Sequence, residues 1–377
     1  MRLLVYTDYV YTSSDGVIYA QRAFALFLAR LADFVDELVI PGRLDPEPAV
    51  AHYRLPDKVT FVPLPHYPAL SQPTRAIPAM LGSLTRFWRT LETVDAAWVL
   101  GPYPLSFALV ALAAARRRRV VLGVRQDWPR YVRSRHPHNR SLQLLSRAME
   151  AGYRALARVY PIVVVGPQLA RNYRRSSAVL PITVSMVEED EIAPARDRTG
   201  HRALTVGRLE TEKNPILLGD ILAALRRRDP RWELVICGEG PLAAALEARL
   251  SELGVAGAAQ LRGYVPIDAG LHDLYRECDY FLHVSLTEGL PQVIFEAFAA
   301  RLPIVATAVG GVPDAVGDAA LLVPPDDADA AADALLRLAD DGDLRRRLVE
   351  RGVERVQAHT TSSECARIVD FVSNAGR

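Results

Sequence analysis

Short apolar runs recur along the chain, each ending in a polar or glycine-containing break. In the first half they lie at residues 3–7, 37–40, 59–62, 96–100, 120–124 and 162–165. Near-continuous apolar runs of this length belong to parallel strands covered on both faces. Helical spacing separates the later runs, at about 76–92, 104–117 and 139–158. One more helix is marked by Ala23, Phe24, Leu26, Phe27 and Leu31, behind a loop containing Ser13, Ser14, Asp15 and Gly16. The rhythm predicts a doubly wound α/β domain with a parallel sheet.

Residues 180–200 break that rhythm with Pro181, the acidic run Glu188-Glu189-Asp190-Glu191, Pro194 and Gly200. This punctuation predicts an interdomain hinge at 184–200. The alternation then restarts. Strands are expected at 202–206, 232–237, 258–262, 278–284, 303–306 and 320–323. Helices are expected near 214–227, 240–252, 268–276, 291–301, 327–339 and 343–357. A last amphipathic helix at about 362–374 has Ala366, Ile368, Val369, Phe371 and Val372 apolar. The division is therefore a first domain at 1–183, the hinge, a second domain at 201–358 and a C-terminal segment at 359–377. A chain of 377 residues is too long for one ordinary core and suits two.

Composition narrows the class. Half the residues are apolar and 24% are charged, which excludes a disordered chain. Cys237, Cys278 and Cys365 are odd in number and far apart, so neither a disulfide framework nor a zinc pattern follows. The start of the chain lacks a signal-peptide core, and the longest apolar run, 105–115, is far short of the ~20 residues that span a bilayer. A cytoplasmic protein is expected.

The net charge of +1 hides an asymmetry. Residues 1–185 hold 24 Lys+Arg against 12 Asp+Glu, and residues 186–377 hold 21 against 32. A basic first half suits an anionic acceptor or the inner membrane face; attraction between the two halves explains it equally well. Only Lys58 and Lys213 are lysine among 45 basic residues, so a surviving Lys hints at a need for a compact charge.

Ligands of open α/β sheets bind beyond the carboxyl ends of the strands. Four such ends carry informative residues. In Val206-Gly207-Arg208-Leu209-Glu210-Thr211-Glu212-Lys213-Asn214-Pro215, two cations stand beside an expected helix start, with Pro215 near its first position. That is a diphosphate site or a surface loop with two solvated charges. Gly238 and Gly240 in Cys237-Gly238-Glu239-Gly240-Pro241 allow close approach of a ligand or make an ordinary turn. In Arg262-Gly263-Tyr264-Val265, Tyr264 and Val265 meet a base or simply pack. In Ser285-Leu286-Thr287-Glu288-Gly289-Leu290-Pro291-Gln292-Val293-Ile294-Phe295-Glu296, Pro291 is expected as the first helical residue. The N–H groups of 289–293 would then point out of the helix start, a cradle for phosphate or sugar. Glu288 lies outside that helix and Glu296 within it, on a largely apolar stretch where a carboxylate needs a partner.

These motifs, together with Pro303-Ile304-Val305-Ala306-Thr307-Ala308-Val309-Gly310-Gly311-Val312-Pro313-Asp314 after them, resemble the donor-binding domain of retaining family 4 glycosyltransferases. The resemblance spans about 200–325, in family order; the first half matches in rhythm alone. It implies the GT-B fold: two Rossmann-like domains facing a central cleft, with a C-terminal helix crossing back to the N-terminal domain. It implies a nucleotide-sugar donor, UDP- or GDP-linked, and a first domain that takes a small-molecule, glycan or lipid-linked acceptor. No nucleic-acid partner and no separate cofactor are implied.

By the same resemblance, Arg208 and Lys213 bind the diphosphate. Glu288 and the backbone of Gly289, Leu290 and Pro291 hold the transferred sugar, and Glu296 holds the ribose. Gly207, Gly238, Gly240, Tyr264 and Val265 line the donor site, and Gly16 stands for the family's glycine-rich first loop. Gln126, followed by Asp127, takes the position of a family histidine, and Gln cannot titrate. Arg301 replaces a common Gly and Asp314 a common Glu. The expected reaction is sugar transfer to an acceptor hydroxyl with retention, without a divalent metal, because two cations are present and no Asp-x-Asp follows a strand. A nucleotide-sugar epimerase of the same fold and a non-catalytic nucleotide-sugar-binding protein remain alternatives.

Overall fold

A computed structural model describes residues 1–47, 53–67, 72–266 and 270–375. Its contacts divide the chain into two units, residues 1–184 with 361–377 and residues 185–360.

The first unit opens with β1 (Arg2–Tyr6), β2 (Val10–Ser14), β3 (Val17–Ala20) and α1 (Phe24–Arg30). There follow β4 (Glu37–Asp45), β5 (Tyr53–Arg54), β6 (Val59–Pro65), α2 (Pro73–Thr90) and β7 (Ala96–Gly101). The unit continues through α3 (Pro104–Ala115), β8 (Arg119–Val124), α4 (Trp128–Arg135), α5 (Arg140–Ala157), β9 (Ile162–Val165), α6 (Pro167–Asn172) and β10 (Val179–Ile182). The strands β6, β4, β1, β7, β8, β9 and β10 are parallel neighbours in that order. Their apolar residues, among them Leu4, Val99, Leu122 and Val164, are fully buried against Phe87, Leu109 and Tyr153 from the covering helices. That two-sided burial is why these strands read as continuous apolar runs.

Residues 10–20 depart from expectation. The stretch read as a loop forms an antiparallel hairpin, with Tyr11 opposite Ala20 and Ser14 opposite Val17. Asp15 and Gly16 both have positive φ, 52° and 79°, the two-residue turn whose twist matches paired strands.

The second unit contains β11 (Arg202–Val206), α7 (Leu217–Arg228), β12 (Glu233–Cys237), α8 (Ala243–Glu252), β13 (Ala259–Leu261) and α9 (Leu271–Glu277). It continues with β14 (Tyr280–His283), α10 (Gln292–Ala299), β15 (Ile304–Thr307), α11 (Val312–Val316), β16 (Leu321–Val323), α12 (Ala328–Asp340) and α13 (Gly342–Ala358). The first residues of the helix expected at 268–276 lie outside the described residues. All six strands are parallel, in the order β13, β12, β11, β14, β15, β16. Chain order reverses between β11 and β14, which makes their carboxyl ends the switch point where ligands of such sheets bind.

Residues 185–200 pack on this second unit. Val187 joins its core, and the Arg198 guanidinium donates to the carbonyls of Arg276, at 3.1 Å, and Ala300, at 2.8 Å. The last helix, α14 (Thr361–Asn374), belongs to the first unit. There Ile368 and Val372 are fully buried, and Arg367 donates to the Pro181 carbonyl at 3.1 Å. No helix among the described residues is long and apolar enough to cross a membrane.

Candidate active site

The carboxyl ends of β11 and β14 bring together Arg208, Lys213 and Glu288. β11 ends at Val206, and Gly207 turns the chain while its N–H donates to the Cys237 carbonyl at 2.9 Å. The neighbouring loop presses close. A Cβ on Gly238 would overlap the Gly207 carbonyl, and Gly238 has φ 143°, so glycine is required there. Gly240 lies equally tight against Leu209, and the Leu209 N–H donates to the Glu239 carbonyl at 2.8 Å. These glycines therefore seat one backbone loop on another.

Residues 211–213 then form a single 3-10 turn, and Asn214 adopts the left-handed conformation, φ 52°. That turn delays the helix: α7 starts at Leu217, so Pro215 lies before the helix and not near its first position. Lys213 therefore sits on the 3-10 turn, where it pairs with Glu288. The half-exposed Arg208 pairs with Glu210 and, at 3.1 Å, with Glu212. Two cations thus face three carboxylates.

Glu288 is the best-tied carboxylate of the group. Its Oε1 accepts from Lys213 Nζ, lies 2.8 Å from the Ser285 hydroxyl and 3.1 Å from His283 Nε2. Its Oε2 has no partner among the described residues. Burial pushes the carboxyl up, but the Lys213 charge and the His283 contact outweigh it and hold Glu288 well below the usual carboxylate range. Ser285 is in turn fixed by Thr307, whose hydroxyl donates to the Ser285 carbonyl at 2.7 Å. His283 and Ser285 are buried.

The helix after Glu288 begins one residue later than expected. Pro291 is the N-cap, with ψ 114°, and Gln292 is the first helical residue of α10. Proline's missing N–H costs nothing at either place. The N–H groups of Gly289, Leu290, Gln292 and Val293 make no hydrogen bond among the described residues. Behind them, Gly310 and Gly311 support the loop. A Cβ on either would overlap the carbonyl of Glu288 or Gly289, and the Gly311 N–H lies 3.3 Å from the Glu288 carbonyl. Just past α10, Arg301 has φ 56°, the left-handed conformation that glycine adopts most easily, and its Nε donates to the Ala193 carbonyl at 2.6 Å.

Glu296 lies on α10, half-buried, and accepts from the Tyr275 hydroxyl at 2.8 Å. Burial pushes its carboxyl up, the Tyr275 hydrogen bond pulls against this, and the charge of Glu191 adds to the rise. The partner expected for this carboxylate is therefore a tyrosine already within the protein, and the two line one hollow with Glu191, His272 and Arg276. The Tyr264 N–H donates to Glu239 at 3.2 Å, and Val265 and Leu290 pack on the core.

The remaining candidates lie in the first unit. Gly16 is the exposed tip of the β2–β3 hairpin. Gln126 follows β8, half-buried, and Asp127 caps α4, accepting from the Arg130 N–H at 3.0 Å. Among the described residues no group of three or more His, Cys, Asp or Glu is placed to hold a metal ion.

His283, Gly310, Gly311 and Tyr275 were not singled out as site residues by sequence reasoning. An ionisable residue at the end of the apolar run Tyr280-Phe281-Leu282 is the signal that points to His283.

Residues 187–355 match the family described as Glycosyl transferases group 1. The D-inositol 3-phosphate glycosyltransferase of Corynebacterium glutamicum (strain R) is 35% identical over 178 residues, 45% of this chain and 42% of the relative. The chain spans about half the length, or less, of such relatives. The phosphatidyl-myo-inositol mannosyltransferase of Mycolicibacterium smegmatis (strain ATCC 700084 / mc(2)155) is 28% identical over 351 residues, covering 87% of this chain and 85% of the relative. Anabaena Alr3699/HepE, solved in complex with UDP, shares the fold with a TM-score of 0.72 at 14% identity, over 99% of this chain and 100% of that one.

Proposed function

We propose that this chain is a family 4 glycosyltransferase and transfers a sugar from a nucleotide-sugar donor to an acceptor hydroxyl with retention of configuration, a reading supported by the group 1 match at residues 187–355 and by the shared fold. One observation carries the reading: Arg208, Lys213 and Glu288 meet at the switch point of the second sheet, beside the unpaired N–H groups at the start of α10.

The donor diphosphate takes Arg208 and Lys213 from the carboxylates that hold them. As the bond from the sugar carbon to the β-phosphate oxygen breaks, charge grows on that phosphate. Once moved onto the diphosphate, the two cations stabilise that charge together with the helix-start N–H groups. The acceptor oxygen bonds to the same face of the sugar carbon, and its proton passes to the departing phosphate oxygen. No side-chain nucleophile is assigned. Two cations at the diphosphate make a divalent metal unnecessary.

Glu288 offers its free Oε2 to a hydroxyl of the transferred sugar, and Glu296 takes the ribose hydroxyls of a UDP- or GDP-linked donor. Gly207, Gly238 and Gly240 shape the backbone beside the diphosphate, and Tyr264 and Val265 flank the base. The first unit carries 26 Lys+Arg against 14 Asp+Glu, which supports an anionic or lipid-linked acceptor, met in the cytoplasm or at the inner membrane face.

The test is transfer to an acceptor, with the anomeric configuration of the product read by NMR. A retained linkage is expected, and an inverted one refutes the mechanism. Lys213→Ala slows turnover by about 10²–10³; near-wild-type turnover removes Lys213 from the site.

A further inference from the structure

The first unit holds a second cationic site that none of the donor chemistry uses. A hollow of about 330 Å³ lies between the end of α5 and the turn after α6, lined by Arg154, Arg158, Arg171, Arg174 and Arg175. A second hollow of about 480 Å³ shares Arg154, Arg158 and Asn172 with it and adds Arg133 and Arg147. Both volumes suit a small ligand, for which sites run to roughly 300–1,000 Å³.

The first hollow has no acid in its wall. Two acids line the second. Asp127 is held there as the cap of α4, accepting from the Arg130 N–H at 3.0 Å. Glu150 is buried, and its role is structural: Oε1 accepts from Arg154 Nε at 3.1 Å and from the Tyr173 hydroxyl at 2.9 Å. The Arg154 guanidinium also lies 5.9 Å over the Tyr173 ring. Arg154 is thus held in place before any ligand arrives. Glu150 Oε2 is buried and has no hydrogen-bond partner among the described residues.

Arg158, Arg174 and Arg175 make no ion pair among the described residues. Guanidinium groups do not lose their charge, so crowding them costs repulsion that an anion relieves. The choice of arginine says little in a chain with two lysines; the placement does, because α5 and residues 171–175 are brought together only by the fold. Forked guanidinium donors around one hollow match the oxygens of a phosphate, two at a time.

We propose that this hollow binds a phosphate monoester or diphosphate group. Exposed Leu144 lies one turn before Arg147 on the same stripe of α5, with exposed Leu145 beside it, so the phosphate belongs either to a small phosphorylated ligand or to a lipid head group.

The full-length protein is treated with phenylglyoxal, which modifies guanidinium groups, and modification is read arginine by arginine through peptide mass spectrometry. Inorganic pyrophosphate at about ten times its dissociation constant slows modification of Arg158 and Arg175 about tenfold and leaves exposed Arg75 and Arg89 unchanged. A parallel arm uses vesicles of phosphatidylcholine with and without phosphatidylglycerol, followed by co-sedimentation of R158A/R175A and of R75A/R89A. Protection by pyrophosphate assigns a small phosphorylated ligand. Protection by anionic vesicles alone, with binding lost in R158A/R175A and kept in R75A/R89A, assigns a lipid head group. Unchanged modification in both arms, or equal protection of Arg75 and Arg89, overturns the proposal. Arg208 is read on its own peptide, so this site and the donor site fail or stand separately.

Discussion

His283 Nε2 lies 3.1 Å from Glu288 Oε1, in a buried position at the end of β14. With Ser285 and Lys213 it fixes one oxygen of the carboxylate and leaves the other for a ligand. Removing that donor loosens the carboxylate while leaving Arg208 and Lys213 in the chain. His283→Phe is expected to lower transfer efficiency by roughly 10–100-fold, the worth of one hydrogen bond to a charged group. His283→Gln, whose amide nitrogen reaches a similar place, is expected to recover most of it. Steady-state kinetics of both variants checks this; equal losses in the two would make His283 a packing residue only.

Glu288 also ties stability to pH. Its carboxyl is held below the usual range in the folded protein, so its pairing stabilises the fold above the unfolded value of about 4.3 and is lost as pH falls through the lower folded value. Glu288→Gln has no such contribution. The stability advantage of the native chain over this variant is therefore expected to be full near pH 6 and to shrink steadily below about pH 4. Urea unfolding of both proteins across this range measures it, and a pH-independent difference would contradict the depressed carboxyl.

Gly311→Ala tests the support beneath the loop. The new methyl group would overlap the Gly289 carbonyl, whose shift moves Glu288 and the helix start together. A stability loss of about 1–3 kcal/mol is expected, with donor affinity falling in the same protein. Thermal unfolding with and without donor separates the two effects. A variant that keeps its affinity would show that the loop is placed by other contacts.

Much of this was legible in the chain because parallel strands carry their burial in their composition. Residues 202–206 and 162–165 read as strands and are strands, since both faces of each sheet are covered. The motif order likewise pointed to Arg208, Lys213 and Glu288, which the fold brings to neighbouring strand ends. What escaped depended on backbone twist or on distance along the chain. Ser13 and Ser14 looked like loop residues, although Asp15-Gly16 is a hairpin turn signal. The left-handed Asn214 pushed the start of α7 past Pro215, and Pro291 caps α10 where it was expected to begin it. The hydroxyl partner of Glu296 is Tyr275, twenty-one residues earlier in sequence and visible only once α9 and α10 pack together.

The central claim is that the ends of β11 and β14 hold a nucleotide-sugar diphosphate through Arg208 and Lys213. Thermal unfolding in a panel of UDP-, GDP-, ADP- and dTDP-sugars tests it most directly, with native protein beside Lys213→Ala. One nucleotide class should raise the native midpoint, by an amount equivalent to about 2.7 kcal/mol at a hundredfold excess over the dissociation constant, and should leave Lys213→Ala nearly unmoved. No stabilisation by any of the four, or equal stabilisation of both proteins, would contradict the account.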